Sequence, residues 1–304
     1  MKYQESELSL NLQYLNQLLI DKEHSLEYRQ GKKALMIKNA LKKRNLSFFI
    51  NHLKVKLFRS NYYSLSGNYR FQSQECLEEY DSLPRIAVYT CIVGNYDEIM
   101  EPLFVNSNVD YFIFTDQSIG SKSKWKKIDI TNLKEYSYNN GTILNRKIKI
   151  LPYNYLENYD YSIYIDGNIQ IVADLIPLIL KMGGRALGVH THAIRDCIYK
   201  EVSGVELLHK ADPQKICQQI DRYRLEGFPD NYGLFQNSIL IRNHNSTSGK
   251  ELMNLWWKEY SKEFTRDQIS LPYAIWKMGL DSSEIFVLGR DVYQNPRFRI
   301  INHR

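Results

Sequence analysis

The stretch YSIYIDGNIQ (residues 161–170) joins an apolar run to a polar turn. Its β-branched and aromatic residues predict a buried strand over residues 159–166. Asp166 and Asn168 follow that strand, and the glycine between them lets the backbone bend. Their side-chain oxygens are ligands that Mg²⁺ or Mn²⁺ prefers, and such an ion leaves positions for substrate phosphates. Asp and Asn in a strand-end turn also bond their own backbone, so an ordinary turn is the alternative.

The segments around this stretch alternate between strand and helix patterns. Apolar runs predict strands at RIAVYTCIVG (85–94) and DYFIFTD (110–116), and NRKIKILPYNYL (145–156) predicts a helix. This alternation indicates an α/β fold with a mostly parallel sheet flanked by helices, in which ligands bind at the carboxyl ends of the strands. The polar turn at Asp166 is therefore expected at the ligand edge of the sheet.

The first 84 residues follow a different pattern. We predict a helical N-terminal region with a linker over residues 1–84 and one α/β domain over residues 85–304. Leucines recur at alternating four- and three-residue steps, with Lys22 at the one missed position: Leu8, Leu12, Leu15, Leu19 and Leu26. This spacing indicates either a helix that packs on its own domain or a seam between helices of a homo-oligomer.

The charge of the chain is unevenly distributed, although the net formal charge is only +6 over 304 residues. Residues 32–59 contain nine basic residues and no acidic one: Lys32, Lys33, Lys38, Lys42, Lys43, Arg44, Lys54, Lys56 and Arg59. With apolar residues between them, they predict a basic amphipathic helix on an anionic membrane surface, and a solvated basic helix face is the alternative. No aromatic–basic platform supports a nucleic-acid partner.

The composition limits the class of protein further. A hydrophobic fraction of 43% over 304 residues is enough for a sizeable core. No apolar stretch approaches the roughly 20 residues that span a bilayer, and the N-terminus lacks the layout of a signal peptide, so we expect a cytoplasmic protein. The cysteines lie far apart without a CxxC pair, which argues against a disulfide framework or a cysteine zinc site.

Seven ordered segments between Arg85 and Arg304 resemble a family of GT-A glycosyltransferase-like proteins of bacterial surface-polysaccharide loci and the plant secretory pathway. The segments are YTCIVGNYD (89–97), FTD (114–116), NRKIKILPY (145–153), YIDGN (164–168), GVHTHAIRDCIYKE (188–201), GLFQNSILIRNH (233–244) and TRDQISLPYAIWK (265–277). The resemblance implies a GT-A fold and a hexosyltransferase-type enzyme. Its donor would be a nucleotide diphosphate sugar, UDP-linked by analogy, and its acceptor a glycan, lipid-linked in capsule or O-antigen synthesis.

The metal site that this resemblance implies departs from the family pattern in one position. The usual GT-A signature ends in a second aspartate, whereas this chain has Asn168, a weaker and neutral ligand. In several GT-A enzymes a C-terminal histidine completes the shell around Mn²⁺ or Mg²⁺, and His303 is the matching residue here. A disordered chain terminus is the alternative for His303.

The candidate nucleotide contacts follow the first two strands or lie on the next helix: Thr90, Gly94, Asn95, Asp116, Arg146 and Lys149. A turn after a strand can admit a base or ribose, and a carboxylate there can accept ribose hydroxyls. Arg146 and Lys149 lie three residues apart and so share a helix face, where two cations would hold a diphosphate. Ordinary turn chemistry and solvated surface charges are the alternatives.

The candidate sugar and acceptor contacts form the densest polar clusters of the chain: His190, His192, Arg195, Tyr199, Glu201, Gln236 and Asn237. Two histidines followed by a carboxylate could bind zinc. The resemblance instead favours hydrogen bonds to sugar hydroxyls. Polar residues at a strand start are the alternative for Gln236 and Asn237.

Thr265 is the predicted N-cap of a helix over ISLPYAIWKMGL (269–280), which places Asp267 in its first turn. Inverting GT-A enzymes that this chain resembles keep their base at such a helix start, so Asp267 is the candidate to take the acceptor's proton. An acidic residue that interacts with the helix dipole is the alternative. A retaining mechanism needs no such base and stays open.

Two other classes of function also stay open from the sequence. A metal-dependent hydrolase of nucleotide sugars or phosphodiesters could use Asp166 with His190 and His192, and it would release free sugar or phosphate without an acceptor. A non-catalytic carbohydrate-binding protein would keep its function when Asp166 or Asp267 is replaced by alanine.

Overall fold

The computed structural model describes residues 3–42, 70–72, 82–137, 141–207, 212–263 and 265–301. Its strands, numbered in chain order, are β1 (Ile86–Ile92), β2 (Val109–Thr115), β3 (Lys126–Asp129), β4 (Tyr161–Ile165), β5 (Ile169–Ile171), β6 (Leu187–Thr191), β7 (Phe235–Asn243), β8 (Ile285–Val287) and β9 (Phe298–Ile300). Its α-helices are α1 (Glu7–His24), α2 (Leu26–Lys42), α3 (Gly141–Ile150), α4 (Ile176–Met182), α5 (Ile198–Leu207), α6 (Pro213–Leu225), α7 (Thr247–Glu263) and α8 (Asp267–Met278).

Seven of these strands form one sheet in the order β3-β2-β1-β4-β7-β6-β8. Neighbouring strands pair in parallel except β7, which runs antiparallel to both β4 and β6. Because β7 runs in reverse, its first residues lie at the edge where the parallel strands end. The predicted α/β class, with a mostly parallel sheet flanked by helices, is confirmed.

Apolar layers cover both faces of this sheet, as a mostly parallel sheet requires. Tyr89 of β1 lies in a layer that includes α3, α7 and α8, with the fully buried Trp256 among its members. The preceding residue, Val88, lies in the opposite layer with Ile176 and Ile179 of α4. Successive side chains of a strand point to opposite faces, which explains why β1 is an unbroken apolar run in the sequence.

The N-terminal helix α1 docks on the C-terminal segment of the chain through polar side chains. The amide nitrogen of Asn16 donates to the carbonyl oxygens of Pro296 and Phe298, each at 2.9 Å. Glu5 forms an ion pair with Arg297 at 2.7 Å. These contacts occupy the outer edge of β9, an edge strand whose free carbonyl groups need donors.

The leucine spacing therefore predicted a helix but not the face of that helix that packs on the domain. It predicted a helix that packs on its own domain or forms a seam, and α1 does pack on the domain, but with Ser9 and Asn16 as its buried residues. The stripe leucines Leu8, Leu15 and Leu19 are 61%, 56% and 47% exposed. The apolar stripe of α1 faces outward, and the seam between helices stays a prediction.

The predicted membrane-contact segment lies only partly within the described residues. Lys32, Lys33, Lys38 and Lys42 are exposed on α2, whereas Lys43, Arg44, Lys54, Lys56 and Arg59 lie outside the described residues. In the ranges given above, none of the helices has both the length and the apolarity that a bilayer crossing requires. Contact of this segment with a membrane surface stays a prediction.

Candidate active site

A cavity of about 430 Å³ opens at the edge where the parallel strands end. It gathers most of the sequence-predicted site residues on its wall: Arg146, Lys149, Asp166, His192, Arg195, Glu201, Gln236, Asn237 and Asp267. These residues come from α3, α8, α5, the end of β4, the start of β7 and the loop after β6. Residues as far apart in the sequence as Arg146 and Asp267 therefore meet at one site, as the ligand-edge rule for parallel sheets predicts.

A buried lysine lies between two carboxylates at the centre of this wall. The Nζ of Lys149 is 2.9 Å from Oδ2 of Asp267 and 3.4 Å from Oδ1 of Asp166, and the lysine side chain is only 2% exposed. Arg146, one turn earlier on α3, places its Nε 3.5 Å from Oδ1 of Asp267. The predicted shared face of Arg146 and Lys149 is thus directed into the cavity rather than to solvent.

Asp166 leaves β4 with its backbone and side chain both fixed. Its amide N–H donates to the carbonyl oxygen of Ser238 on β7 at 2.9 Å, and its Oδ1 accepts from the Tyr164 hydroxyl at 2.9 Å. The side chain is 29% exposed, so the carboxylate borders the cavity. A Cβ at Gly167 would meet Ile92 at 2.8 Å, so this glycine permits close packing against β1.

Asp267 is the first residue of α8, and Arg266 occupies the N-cap position without a side-chain cap bond. The prediction of Thr265 as the cap was wrong: its hydroxyl donates to Gln219 on α6. Burial alone would raise the pKa of the Asp267 carboxyl, but the charges of Lys149, Arg146 and Arg266 hold that pKa well below its usual range. A carboxylate with so low a pKa accepts a proton poorly, and its role as base stays a prediction.

Asn168 turns its side chain toward the C-terminal segment. Its Nδ2 donates to the carbonyl oxygen of Ile301 at 2.9 Å, and the Ile301 N–H donates to the Asn168 carbonyl at 2.8 Å. Of the two polar atoms in the Asn168 side chain, Oδ1 is therefore the one that could bind a metal ion. His303 lies outside the described residues.

The side chains around Asp166 fit a metal ion that takes most of its ligands from the substrate. Within the part of the chain that the structure describes, no group of three or more His, Cys, Asp or Glu side chains is arranged to bind a metal. Asp166 presents one carboxylate to the cavity. One or two carboxylates with substrate phosphates are the usual protein share of a Mg²⁺ site, so Asp166 meets that requirement.

Asn237 on β7 is the clearest sign of a ligand contact. It lines the cavity and is only 5% exposed, yet neither Oδ1 nor Nδ2 has a hydrogen-bond partner among the described residues. Buried amides are nearly always hydrogen-bonded, since an unmet group costs about 1–3 kcal/mol. A sugar hydroxyl, which donates and accepts, would satisfy both atoms.

His192, Arg195 and Glu201 form a second polar group on the wall. The Nδ1 of His192 accepts from the backbone N–H of Arg195 at 3.1 Å, so the neutral ring carries its proton on Nε2. Arg195 pairs with Glu201, and both side chains are almost fully buried. A hydrogen-bond donor and a fixed ion pair are suited to recognise sugar hydroxyls.

Two predicted sugar contacts lie away from the cavity wall. His190 is fully buried, with its Nε2 3.1 Å from Asn295 Nδ2, and burial lowers its pKa to about 3, so the ring is neutral. The Tyr199 hydroxyl donates to the carbonyl oxygen of Phe228 at 2.7 Å. His190 and His192 do not face one cavity together, which removes the arrangement that the zinc alternative required.

The predicted nucleotide contacts after β1 and β2 do not line this cavity, and two of them are hydrogen-bonded to each other. Gly94 N–H donates to both carboxylate oxygens of Asp116, at 3.0 and 3.1 Å, and Gly94 and Asn95 have φ of +64° and +57°. Thr90 lies within β1, not after it as predicted, and its buried hydroxyl lacks a described partner. Nucleotide binding by these four residues stays a prediction.

The cavity wall also contains residues that were not among the predicted site residues, including Arg266, Gln268, Asp291 and Tyr293. The first two flank Asp267, and the Gln268 amide donates to the carbonyl oxygen of Phe235 at 2.7 Å. Asp291 and Tyr293 follow β8, a strand parallel to β6. The rule that found Asp166, polar residues after a parallel strand, would have found Asp291 in IFVLGRD (285–291).

Comparison with known proteins gives matches to glycosyltransferases. The chain is 22% identical over 213 residues to the probable hexosyltransferase MUCI70 of Arabidopsis thaliana, a match that covers 61% of this chain and 36% of that protein. The chain thus spans about a third of the length of this curated relative. Among solved structures, it resembles the WbbM bifunctional glycosyltransferase (TM-score 0.42, 11% identity, 71% of this chain and 40% of that chain). Mouse xyloside xylosyltransferase 1 is a further match (TM-score 0.40, 10% identity, 66% of this chain and 84% of that chain).

The family match extends beyond the seven segments that carried the resemblance. Residues 15–301 match the TOD1/MUCI70, glycosyltransferase-like domain, so the match begins inside α1 and ends just after β9. It therefore includes residues 15–84 of the N-terminal region that the sequence motifs left outside. Because this match covers nearly the whole chain, the protein belongs to the TOD1/MUCI70 glycosyltransferase-like domain family.

Proposed function

We propose that this protein transfers a sugar from a nucleotide diphosphate sugar, with UDP as the first candidate nucleotide, to a glycan acceptor of a surface polysaccharide such as capsule or O-antigen. The observation that carries this proposal is the wall of the cavity, which combines the cations Arg146 and Lys149 with the unpartnered amide of Asn237. A sugar nucleotide has both features that these groups bind, a diphosphate and a ring of hydroxyls.

The cations support the departure of the nucleotide. Transfer breaks the bond between the anomeric carbon and the diphosphate and forms a bond between that carbon and the acceptor oxygen, whose proton passes to the diphosphate or to water. Negative charge therefore builds on the diphosphate oxygens as the bond breaks. Lys149 and Arg146 are held at the cavity wall by ion pairs, and fixed charges in a site shielded from water stabilise such charge effectively. Arg266 adds a further cation to the same wall.

A divalent ion fits this proposal as an additional positive charge. Mn²⁺ or Mg²⁺ bound by Asp166 and by diphosphate oxygens would act as a Lewis acid toward the leaving group. Asn168, through Oδ1, and His303 are the further proposed ligands. Asp166 itself orients the nucleotide by its fixed position at the end of β4.

A thermal-shift screen of nucleotide sugars, each with and without Mn²⁺, tests the proposal. A ligand present at 100 times its Kd stabilises the native state by about 2.7 kcal/mol, so the cognate donor should raise the melting temperature by several degrees. Free nucleotide should then appear only when a glycan acceptor is added. Sugar release without an acceptor would indicate a hydrolase, and indifference to every nucleotide sugar would refute the proposal.

We also propose that the outward stripe of α1, formed by Leu8, Leu15 and Leu19, pairs with the same stripe of a second copy. Burying three exposed leucines that lie seven and four residues apart on one helix face is the usual basis of a helix–helix seam. Light scattering after size exclusion should give a dimer for the wild type and a monomer for the double variant Leu15→Glu/Leu19→Glu. Leu10→Glu, exposed on another face of α1, is the matched control and should stay dimeric. A monomeric wild type at all concentrations would contradict the seam.

A further inference from the structure

We propose that Asp267 is a positioning residue that anchors Lys149 and Arg146 for the leaving diphosphate, and that it does not accept the acceptor's proton. This inference rests on the proposed sugar transfer. It differs from the expectation that a carboxylate at a helix start serves as the base. The argument depends on where the carboxylate lies, on what it contacts and on how tightly α8 begins.

Each oxygen of the Asp267 carboxylate lies at ion-pair distance from a cation. Oδ2 is 2.9 Å from the Nζ of Lys149, and Oδ1 is 3.5 Å from the Nε of Arg146. The residue is 4% exposed. A base must reach the hydroxyl proton of an acceptor that enters from solvent, whereas this carboxylate is almost fully buried and lies against two cations.

The start of α8 is also fixed in place. The indole N–H of Trp256, a fully buried residue of α7, donates to the carbonyl oxygen of Asp267 at 3.1 Å. The next residue, Gln268, is tied to the carbonyl of Phe235 on β7 at 2.7 Å. To approach an acceptor, the Asp267 side chain would have to rotate away from both cations, and Lys149 would keep only its longer contact with Asp166. Breaking a buried ion pair in this way is costly.

Electrostatics favours the same role. Protonating Asp267 would remove the negative partner of Lys149 and Arg146 at the moment when the acceptor loses its proton. The pKa of the Asp267 carboxyl, held well below its usual range by these cations, expresses this preference for the charged form. A permanently charged carboxylate is poorly suited to proton transfer but well suited to hold an ammonium group in one position.

Lys149 needs such an anchor because its ammonium group is almost fully buried. Its side chain is 2% exposed and its Nζ lies 5.0 Å from the centre of the Tyr164 ring. Its second carboxylate, Asp166, is the longer contact at 3.4 Å and is the group proposed to turn to a divalent ion. Asp267 would then be the partner that keeps Lys149 charged and directed at the diphosphate.

Affinity for UDP separates an anchor from a base, because a base contacts the acceptor and contributes nothing to binding of the free nucleotide. We expect Asp267→Asn and Lys149→Met each to weaken UDP binding at least tenfold in calorimetric titration at fixed Mn²⁺. The double variant Lys149→Met/Asp267→Asn should lose less UDP affinity than the two single losses multiplied together, because Asp267 acts in part through Lys149. Asp267→Glu should recover part of the affinity.

Lys147→Met is the matched control, since Lys147 lies on the same helix but pairs with Glu135 at 3.0 Å outside the cavity. It should bind UDP like the wild type. Near-wild-type UDP affinity in Asp267→Asn, with kcat reduced a thousandfold, would overturn the inference in favour of a base. If Asp267→Asn fails to fold, the double variant decides, because a base would add a loss of kcat beyond that of Lys149→Met. A wild type that binds no nucleoside diphosphate would instead refute the proposed function itself.

Discussion

Replacing Asp166 by asparagine is expected to slow sugar transfer by about 100- to 1,000-fold, the usual effect of removing one charged group from a preorganised site. Asparagine keeps the size of the side chain and can still accept from the Tyr164 hydroxyl, so the end of β4 should keep its shape. The charge that balances Lys149 from the cavity side, and the carboxylate proposed to bind a divalent ion, are both lost. Initial rates of nucleotide release in the presence of acceptor measure the effect.

The opposite end of the same strand offers a control. Asp160 precedes β4, pairs with Arg85 at 3.4 Å and lies away from the cavity. Asp160→Asn should therefore leave transfer within about twofold of the wild type. Mn²⁺ should stabilise the complex of UDP with the wild type but not with Asp166→Asn. Normal transfer by Asp166→Asn would show that the catalytic site is elsewhere.

The position of Asp166 could be predicted because it depends on a single rule. An unbroken apolar run specifies a strand that is buried on both faces, and polar residues that follow a parallel strand must lie at one edge of the sheet. A second rule, that residues three apart share a face of a helix, located Arg146 and Lys149. For these residues, the order of elements along the chain was sufficient.

The side-chain directions around β6 could not be predicted in the same way. The pairing of β6 with β7 shifts register between Val189 and His190. The regular alternation of side chains between the two faces of the sheet is therefore interrupted at the histidines. His190 is buried while His192, two residues later, borders the cavity. A register shift depends on the partner strand, which is about 45 residues further along the chain.

The docking of α1 illustrates a different limit. Leucine spacing reports an apolar stripe, but it does not say which face of a helix meets the domain. Here the need of the β9 edge for hydrogen-bond donors brought Asn16 inward, because an edge strand leaves carbonyl groups free. The sequence signal that could have indicated this orientation is the placement of two polar residues, Ser9 and Asn16, seven positions apart and so on one face of a leucine-rich helix.

Replacing Asn237 by alanine is expected to lower transfer efficiency by about 5- to 150-fold, which corresponds to the loss of about 1–3 kcal/mol from one or two buried hydrogen bonds to the substrate. The stability of the free protein should not fall. Neither polar atom of the side chain has a hydrogen-bond partner among the described residues, so the truncation breaks no described hydrogen bond and removes two buried unmet groups. Steady-state rates and thermal melts measure the two effects on the same preparations.

Asn243, at the far end of the same strand, should behave in the opposite way. Its Nδ2 donates to the carbonyl oxygen of Gly184 at 2.6 Å, and its Oδ1 accepts from the Asn245 N–H at 2.9 Å. Asn243→Ala should therefore lower the melting temperature and leave the transfer efficiency of the folded fraction unchanged. A residue kept for substrate binding costs stability in the free protein, whereas a residue kept for folding contributes to it. If Asn237→Ala destabilises the protein as Asn243→Ala does, and transfer survives, then Asn237 has a partner within the fold and the sugar is bound elsewhere in the cavity.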